Sequence, residues 1–400
     1  MPSENRFNWG SFGQLLISLL GILFGLGGAG LLALLGVMPL IDGSTDGQQI
    51  TSVLTMAWGG LLVAAICLPS AVLAVRSLMG HAPWMRGGRR RLVFASLLLL
   101  LWPLALVLAN ATAGSSQSWL FLPPLLILVV GIPVFWLTSA VRSGLPPESA
   151  QRTWGVASFG LVIGPPLNLL IQIAVLLVGV VGFGVYLAGQ PGLLGELQTL
   201  SQSFNLQSDP NRVLDQLRPY LEQPGILTLG MLFISGLVPL IEELFKPLGV
   251  WFLAGRKLTP AAGFAAGALS GGMFALLESL GYLSSASADG FITFALARTG
   301  TMLLHVTTAG LVGWGLGSAL GEKRYLRLGL TYLGAVVLHS LWNTAGILPA
   351  LVEIPFLTDR LQGLATASPY FLGGLSLIMV VILVVLNRRL RAPAVEGARI

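Results

Sequence analysis

Residues 226–254 read ILTLGMLFISGLVPLIEELFKPLGVWFLA. A run this long and this apolar predicts a helix that crosses a bilayer, because a hydrocarbon core about 30 Å thick takes roughly 20 helical residues. Yet its middle holds Glu242, Glu243 and Lys246, bracketed by Pro239 and Pro247. Ionisable groups at membrane depth are costly on every scale that measures them, so three within two turns ask for a purpose. Each proline removes a backbone donor, which predicts a local break that frees carbonyls or admits water.

The rest of the chain repeats the apolar pattern, mostly without the charges. Of its 400 residues 10% are charged and 54% are hydrophobic, with a mean hydropathy of +0.83. Soluble domains carry about 25% charge, so a soluble enzyme is excluded, as is a disordered chain. The single cysteine, Cys67, excludes a disulfide framework and a thiolate zinc cluster. Spans are expected near 12–40, 51–75, 91–110, 119–141, 153–189, 226–254, 260–283, 291–320, 328–350 and 368–387. The fold class is therefore an all-α polytopic membrane protein of about ten transmembrane helices.

The connections between spans sort by sign. Of the 22 basic residues, 17 fall in alternate connections and at the two ends, among them Arg86, Arg89, Arg90, Arg91, Arg142, Arg152, Lys323 and Arg324. The positive-inside rule makes that side cytoplasmic and puts both termini there. The net charge of +6 is thus a matter of topology; nucleic acid is excluded as a partner, and the bilayer is the medium. The first span is too long for a signal-peptide core and reads as an uncleaved helix. Gly164-Pro165-Pro166 bends the span at 153–189, either as one tilted crossing or as two half-helices. Residues 190–225 form the one sizeable external segment, with an amphipathic helix at 210–223 capped by Asp209. Pro146-Pro147, between Arg142 and Arg152, marks a seam between a four-span region (1–145) and a six-span core (146–400). The Arg86–Arg91 cluster beside Trp84 reads as a topology signal and a lipid-headgroup contact.

In the last six spans ionisable groups cluster. Glu242 and Lys246 are four apart, on one helical face. The seventh span carries Phe274 and Glu278, the eighth Arg298 and His305, the ninth His339 and Asn343. Gly263, Gly267, Gly271 and Ala275 form a small-residue stripe nearly in line with Glu278; His305, Ala309, Gly313 and Gly317 form a second. Such stripes let helices approach closely and carry their polar neighbours into the bundle interior. Arg298 reads as a snorkelling or paired charge. A glutamate in a low-dielectric site is a candidate general base, Lys246 supplies a cation for the paired carboxylates, and Asn343 offers an amide to an oxyanion. Two histidines with a glutamate are also the donor set of a catalytic zinc with an open position.

The series Glu242-Glu243-x-x-Lys246, Phe274-x-x-x-Glu278, His305 and His339-x-x-x-Asn343 resembles the PrsW-type intramembrane proteases, a group similar to CAAX prenyl endopeptidases and bacteriocin-processing membrane proteases. The resemblance implies a membrane-embedded endopeptidase that cuts a membrane-anchored protein, such as an anti-sigma-factor-like regulator; the bias toward arginine, with only Lys246, Lys257 and Lys323 as lysines, points to a GC-rich genome and a prokaryotic plasma membrane. The resemblance also implies Glu242 as the water-activating base, Glu243 as its electrostatic partner, and His339 with Asn343 as transition-state stabilisers. Glu278 and His305 become ligands or water-positioning groups, and Glu278, His305 and His339 the ligands of a Zn²⁺, if one is held; a metal-free glutamate catalyst is the other form implied. Glu278 stands where the prenyl endopeptidases have histidine, and Asn343 where relatives can carry an acid. Two other classes use intramembrane carboxylates: a cation- or proton-coupled transporter, and an inactive membrane scaffold. The absence of matching interrupted spans in the two halves speaks against the transporter.

Overall fold

The computed structural model describes residues 8–41, 47–86, 88–189, 195, 218, 224–251, 253, 258–286 and 288–391. Among them ten stretches are helical, long and apolar enough to cross a membrane, and each falls on one of the expected spans. The amphipathic helix expected at 210–223 lies outside the described residues. Regular structure is otherwise confined to a two-residue antiparallel ladder, β1 (Met85–Arg86) with β2 (Glu148–Ser149). By contact the chain forms two compact units. One comprises Met1–Pro166, Glu243–Leu338 and Gly373–Ile400, the other Leu167–Glu242 and His339–Leu372.

The first unit begins with α1 (Trp9–Ile41), whose first turn is capped by the Asn8 side chain accepting from Ser11 N, and α2 (Gly47–Leu78). These two pack where Gly25 and Gly60 face one another; a Cβ on either would lie within 2.7 Å of the other's carbonyl oxygen. A buried polar thread ties them to α6 (Ala150–Val162): Gln14 donates to Ser70 Oγ (3.0 Å) and the Gln151 carbonyl (3.2 Å). Satisfying these groups inside the protein is what permits them at membrane depth. The third span is two helices, α3 (Gly88–Leu99) and α4 (Trp102–Ala113), broken just before Pro103, which has no N–H to continue the ladder. Next comes α5 (Ser118–Val141).

The fifth span breaks where the prolines predict, α6 ending at Val162 and α7 (Gly164–Ala188) starting at the Gly-Pro-Pro sequence. The sixth is the most interrupted. It runs as α8 (Pro224–Leu232), a π-turn (Phe233–Leu237), α9 (Val238–Phe245) and α10 (Leu248–Trp251). The breaks follow the two prolines. In the π-turn Val238 N–H reaches back five residues to the Phe233 carbonyl. The Ile234 carbonyl then has no α-type donor, and its π-type donor would be Pro239, which carries none.

The remaining helices are α11 (Pro260–Ser284), α12 (Phe291–Glu322), α13 (Tyr325–Val352) and α14 (Pro355–Leu390). The last begins thirteen residues before the expected span at 368, with Pro355 at its first position, so Asp359 is helical rather than in a connection. Apolarity locates the part of a helix that lipid can surround; it does not mark polar turns that continue the same helix. α11 and α12 are the core of the first unit. In their most apolar stretches 78% and 83% of positions are buried, against 17–44% in the other candidate spans. α11 also packs against α2, α5, α6 and α10.

Candidate active site

In the first unit the two small-residue stripes meet each other. A Cβ on Gly263 would run into the Gly313 carbonyl oxygen, one on Gly267 into that of Ala309, and one on Gly271 into that of His305. The backbones of α11 and α12 therefore touch along three turns, which only glycine allows. The register sets His305 opposite Glu278: Nε2 and Oε2 are 2.7 Å apart. The same oxygen accepts from Arg298 Nη2 at 2.6 Å, and Arg298 reaches Ser279 Oγ at 3.3 Å while lying over the Tyr282 ring at 4.4 Å. Arg298 is thus paired and belongs to the cluster rather than snorkelling. An ionised carboxylate only accepts, so the proton in the His305–Glu278 contact is assigned to Nε2. His305 is 1% exposed and stands beside the Phe274 ring at 5.3 Å, whereas the Glu278 side chain keeps 24% exposure.

The end of α9 supplies a second ion pair of this unit. Lys246 Nζ donates to Glu243 Oε1 at 2.8 Å, and both side chains are fully buried. The sequence spacing pointed Lys246 at Glu242, four back. The helix ends at Phe245, and from the turn that follows Lys246 reaches Glu243, three back. Its ammonium lies 5.3 Å from the Phe274 ring centroid. Because Val250 N–H bonds Pro247 O, the Lys246 carbonyl takes its hydrogen from Ser270 Oγ instead, at 2.6 Å.

In the second unit Glu242 and His339 come together, each buried, with Oε2 and Nε2 3.9 Å apart. Gln172 Nε2 donates to the other oxygen, Oε1, at 3.1 Å. Asn343, one turn beyond His339, donates its amide to the Ile234 carbonyl at 3.0 Å, the group that the π-turn and Pro239 strand. Its first partner is thus the backbone. All the residues expected from the sequence lie in one or other cluster. Gln172 was missed; a lone amide inside the run Leu169-Leu170-Ile171-Gln172-Ile173 was the available signal. Ser270, which holds the Lys246 turn, carried no such signal, and Phe274, singled out only as part of the Phe274-x-x-x-Glu278 motif, has the Lys246 ammonium over its ring.

Glu278 with His305 and Glu242 with His339 are each an imidazole–carboxylate pair, the donor chemistry of a catalytic zinc. In kind these residues fit such an ion. As they stand, Arg298 and His305 both hydrogen-bond Glu278 Oε2, and 2.7 Å is a hydrogen-bond distance.

Residues 174–386, just over half of the chain, match the model of the PrsW family intramembrane metalloprotease. No curated protein matches, and neither does any solved structure. The matched stretch contains Glu242, Glu243, Lys246, Glu278, Arg298, His305, His339 and Asn343, and it begins two residues after Gln172.

Proposed function

Because this chain belongs to the PrsW family of intramembrane metalloproteases, a multi-pass membrane protease, we propose that it cuts a membrane-anchored protein and that Glu242, Glu243, Glu278, His305, His339 and Asn343 carry the reaction. Charge asymmetry supports an orientation with both termini in the cytoplasm of a prokaryotic cell. Glu242 and Glu243 are consecutive on α9.

In this reading Glu242 is the general base. Gln172 holds its Oε1, and the carboxylate takes a proton from the attacking water and returns it to the leaving amine. His339 donates toward the oxyanion that forms on the scissile carbonyl. Asn343 positions His339's helix against the π-turn by its bond to Ile234 and has a second amide N–H for the same oxyanion. Glu278 and His305 orient the water, and Arg298 pairs with Glu278. The buried Glu243–Lys246 pair keeps a second full negative charge from standing next to the base. Glu278 and His305, the imidazole–carboxylate pair of the first unit, are residues that would hold a zinc ion, which when bound would acidify a water and polarise the carbonyl.

The observation that supports this most is the Glu278–His305 contact: ionisable groups 2.7 Å apart inside two apolar helices, set there by a glycine interface. The test is cleavage of a single-span substrate by the purified protein in liposomes. Glu242→Gln and His339→Ala are each expected to lower the rate by about 10²–10⁴ with melting temperature retained. Wild-type cleavage in both variants, or ion flux without cleavage, would overturn the reading. Metal analysis of wild type against His305→Ala decides the zinc: equal, negligible metal in an active enzyme removes the ligand roles.

A further inference from the structure

Apart from these clusters, the first unit has a partly open cavity of about 520 Å³ bounded by α2, α3, α5, α6 and α11. Sites for lipid- or drug-sized molecules have volumes of this order. Its walls are apolar: Ile127 and Val134 on α5 face Ile66, Phe94, Leu269 and Met273. From Ile127 to Thr138 the α5 wall is roughly 16 Å long, close to one leaflet's half of a ~30 Å hydrocarbon core.

One end is different. Arg91, Ser139, Arg142 and Glu148 line it, where α5 ends and the β1–β2 ladder leads into α6. Arg142, 8% exposed, donates to Glu148 Oε2 (3.0 Å) and Thr153 Oγ1 (2.6 Å). Burial weakens the hold of Arg142 on its proton, and the Glu148 carboxylate opposes that. Arg152 Nη1 lies 3.9 Å from the other Glu148 oxygen. Two guanidiniums therefore share one carboxylate, and Arg91 lines the same end as a third. The Arg91 Nε–H and the Ser139 hydroxyl are shielded from solvent and have no acceptor among the described residues. Buried donors of this kind are normally satisfied. Surplus positive charge and two waiting donors at the end of the spans, with an apolar slot running inward from them, match the two halves of an acidic lipid.

We propose that this cavity binds one anionic phospholipid, its phosphate at Arg91 and Ser139 and one acyl chain along α5. The experiment is native mass spectrometry of the full-length protein in detergent, titrated separately with phosphatidylglycerol, phosphatidylcholine of the same chains, oleate and inorganic phosphate. One phosphatidylglycerol should be retained roughly tenfold more tightly than phosphatidylcholine. Gly131 lines the cavity and a Cβ there meets nothing within 4 Å, so Gly131→Leu fills the slot without a clash and should remove the bound lipid. Arg91→Gln, at the other end, should bring the two phospholipids to parity, and it decides the matter if the first variant fails to fold. Equal retention of both phospholipids by the wild type, or wild-type retention in both variants, overturns the proposal. So does oleate or phosphate binding as tightly as phosphatidylglycerol, which would leave a fatty-acid or a free-anion site instead.

Discussion

His305 and Glu278 stand on two helices whose backbones touch, whereas Glu242 stands on a helix entered through a π-turn and closed by a proline. The donor chemistry of the two clusters is the same and the scaffolds are opposite. Along the two stripes Gly263, Gly267 and Gly271 of α11 each face a carbonyl oxygen of α12, so the interface has no slack and the His305–Glu278 contact of 2.7 Å follows from register. Around Glu242 the backbone ladder is interrupted, and position comes from side chains: Gln172 on the carboxylate, Asn343 on the stranded Ile234 carbonyl. Buried contacts of the first kind resist change because nearby backbone cannot move. Those of the second kind adapt, and the looser 3.9 Å separation of Glu242 from His339 belongs there. One cluster is suited to holding geometry and the other to receiving a substrate.

The comparison can be broken first at its rigid side. Gly271→Leu forces a side chain into the His305 carbonyl and should abolish cleavage and lower stability by about 1–3 kcal/mol or more, read by unfolding in mixed micelles. Gly281→Leu, on the same helix but in open space, should leave both unchanged; equal effects of the two would mean that bulk, not register, is felt. Next, Lys246→Met strands the fully buried Glu243 and should cost about 3–5 kcal/mol, with most of it recovered in Glu243→Gln/Lys246→Met. On the adaptable side, Gln172→Leu should slow turnover roughly 10–100-fold through loss of an outer hydrogen bond to the base, with the melting temperature held. A large loss of stability instead would place Gln172 with the rigid cluster. The smallest effect on stability is expected from Asn343→Ala, about 1 kcal/mol for one hydrogen bond to a backbone carbonyl, seen as faster hydrogen exchange confined to the π-turn, while cleavage should also fall through loss of the amide N–H offered to the oxyanion.

Much of this was legible beforehand. All ten spans were, and so were the breaks near Pro165, Pro239 and Pro247, because apolar length and missing N–H groups act locally. The two glycine stripes were also visible, and their spacing announced close packing. What they packed against was not: each stripe looked the same whether its partner was the other stripe or a third helix. Lys246 was aimed at Glu242 on the assumption of an unbroken helix, and the turn at Lys246–Pro247 takes it to Glu243. Gln172 and Ser270 went unnoticed since an amide or hydroxyl acquires a role only from what lies opposite it. Likewise, Arg91, Ser139, Arg142 and Glu148 come from separate stretches, and only the folded chain sets them around one cavity.

The order of residues alone settled that this chain lives in lipid, how many times it is able to cross, and which few groups do not belong there. Those facts follow from transfer between water and hydrocarbon, which each segment undergoes independently. Which carboxylate meets which imidazole was decided by the register of helices distant in the chain. That register depends on which faces fit closely enough for backbones to touch, and no single segment carries it.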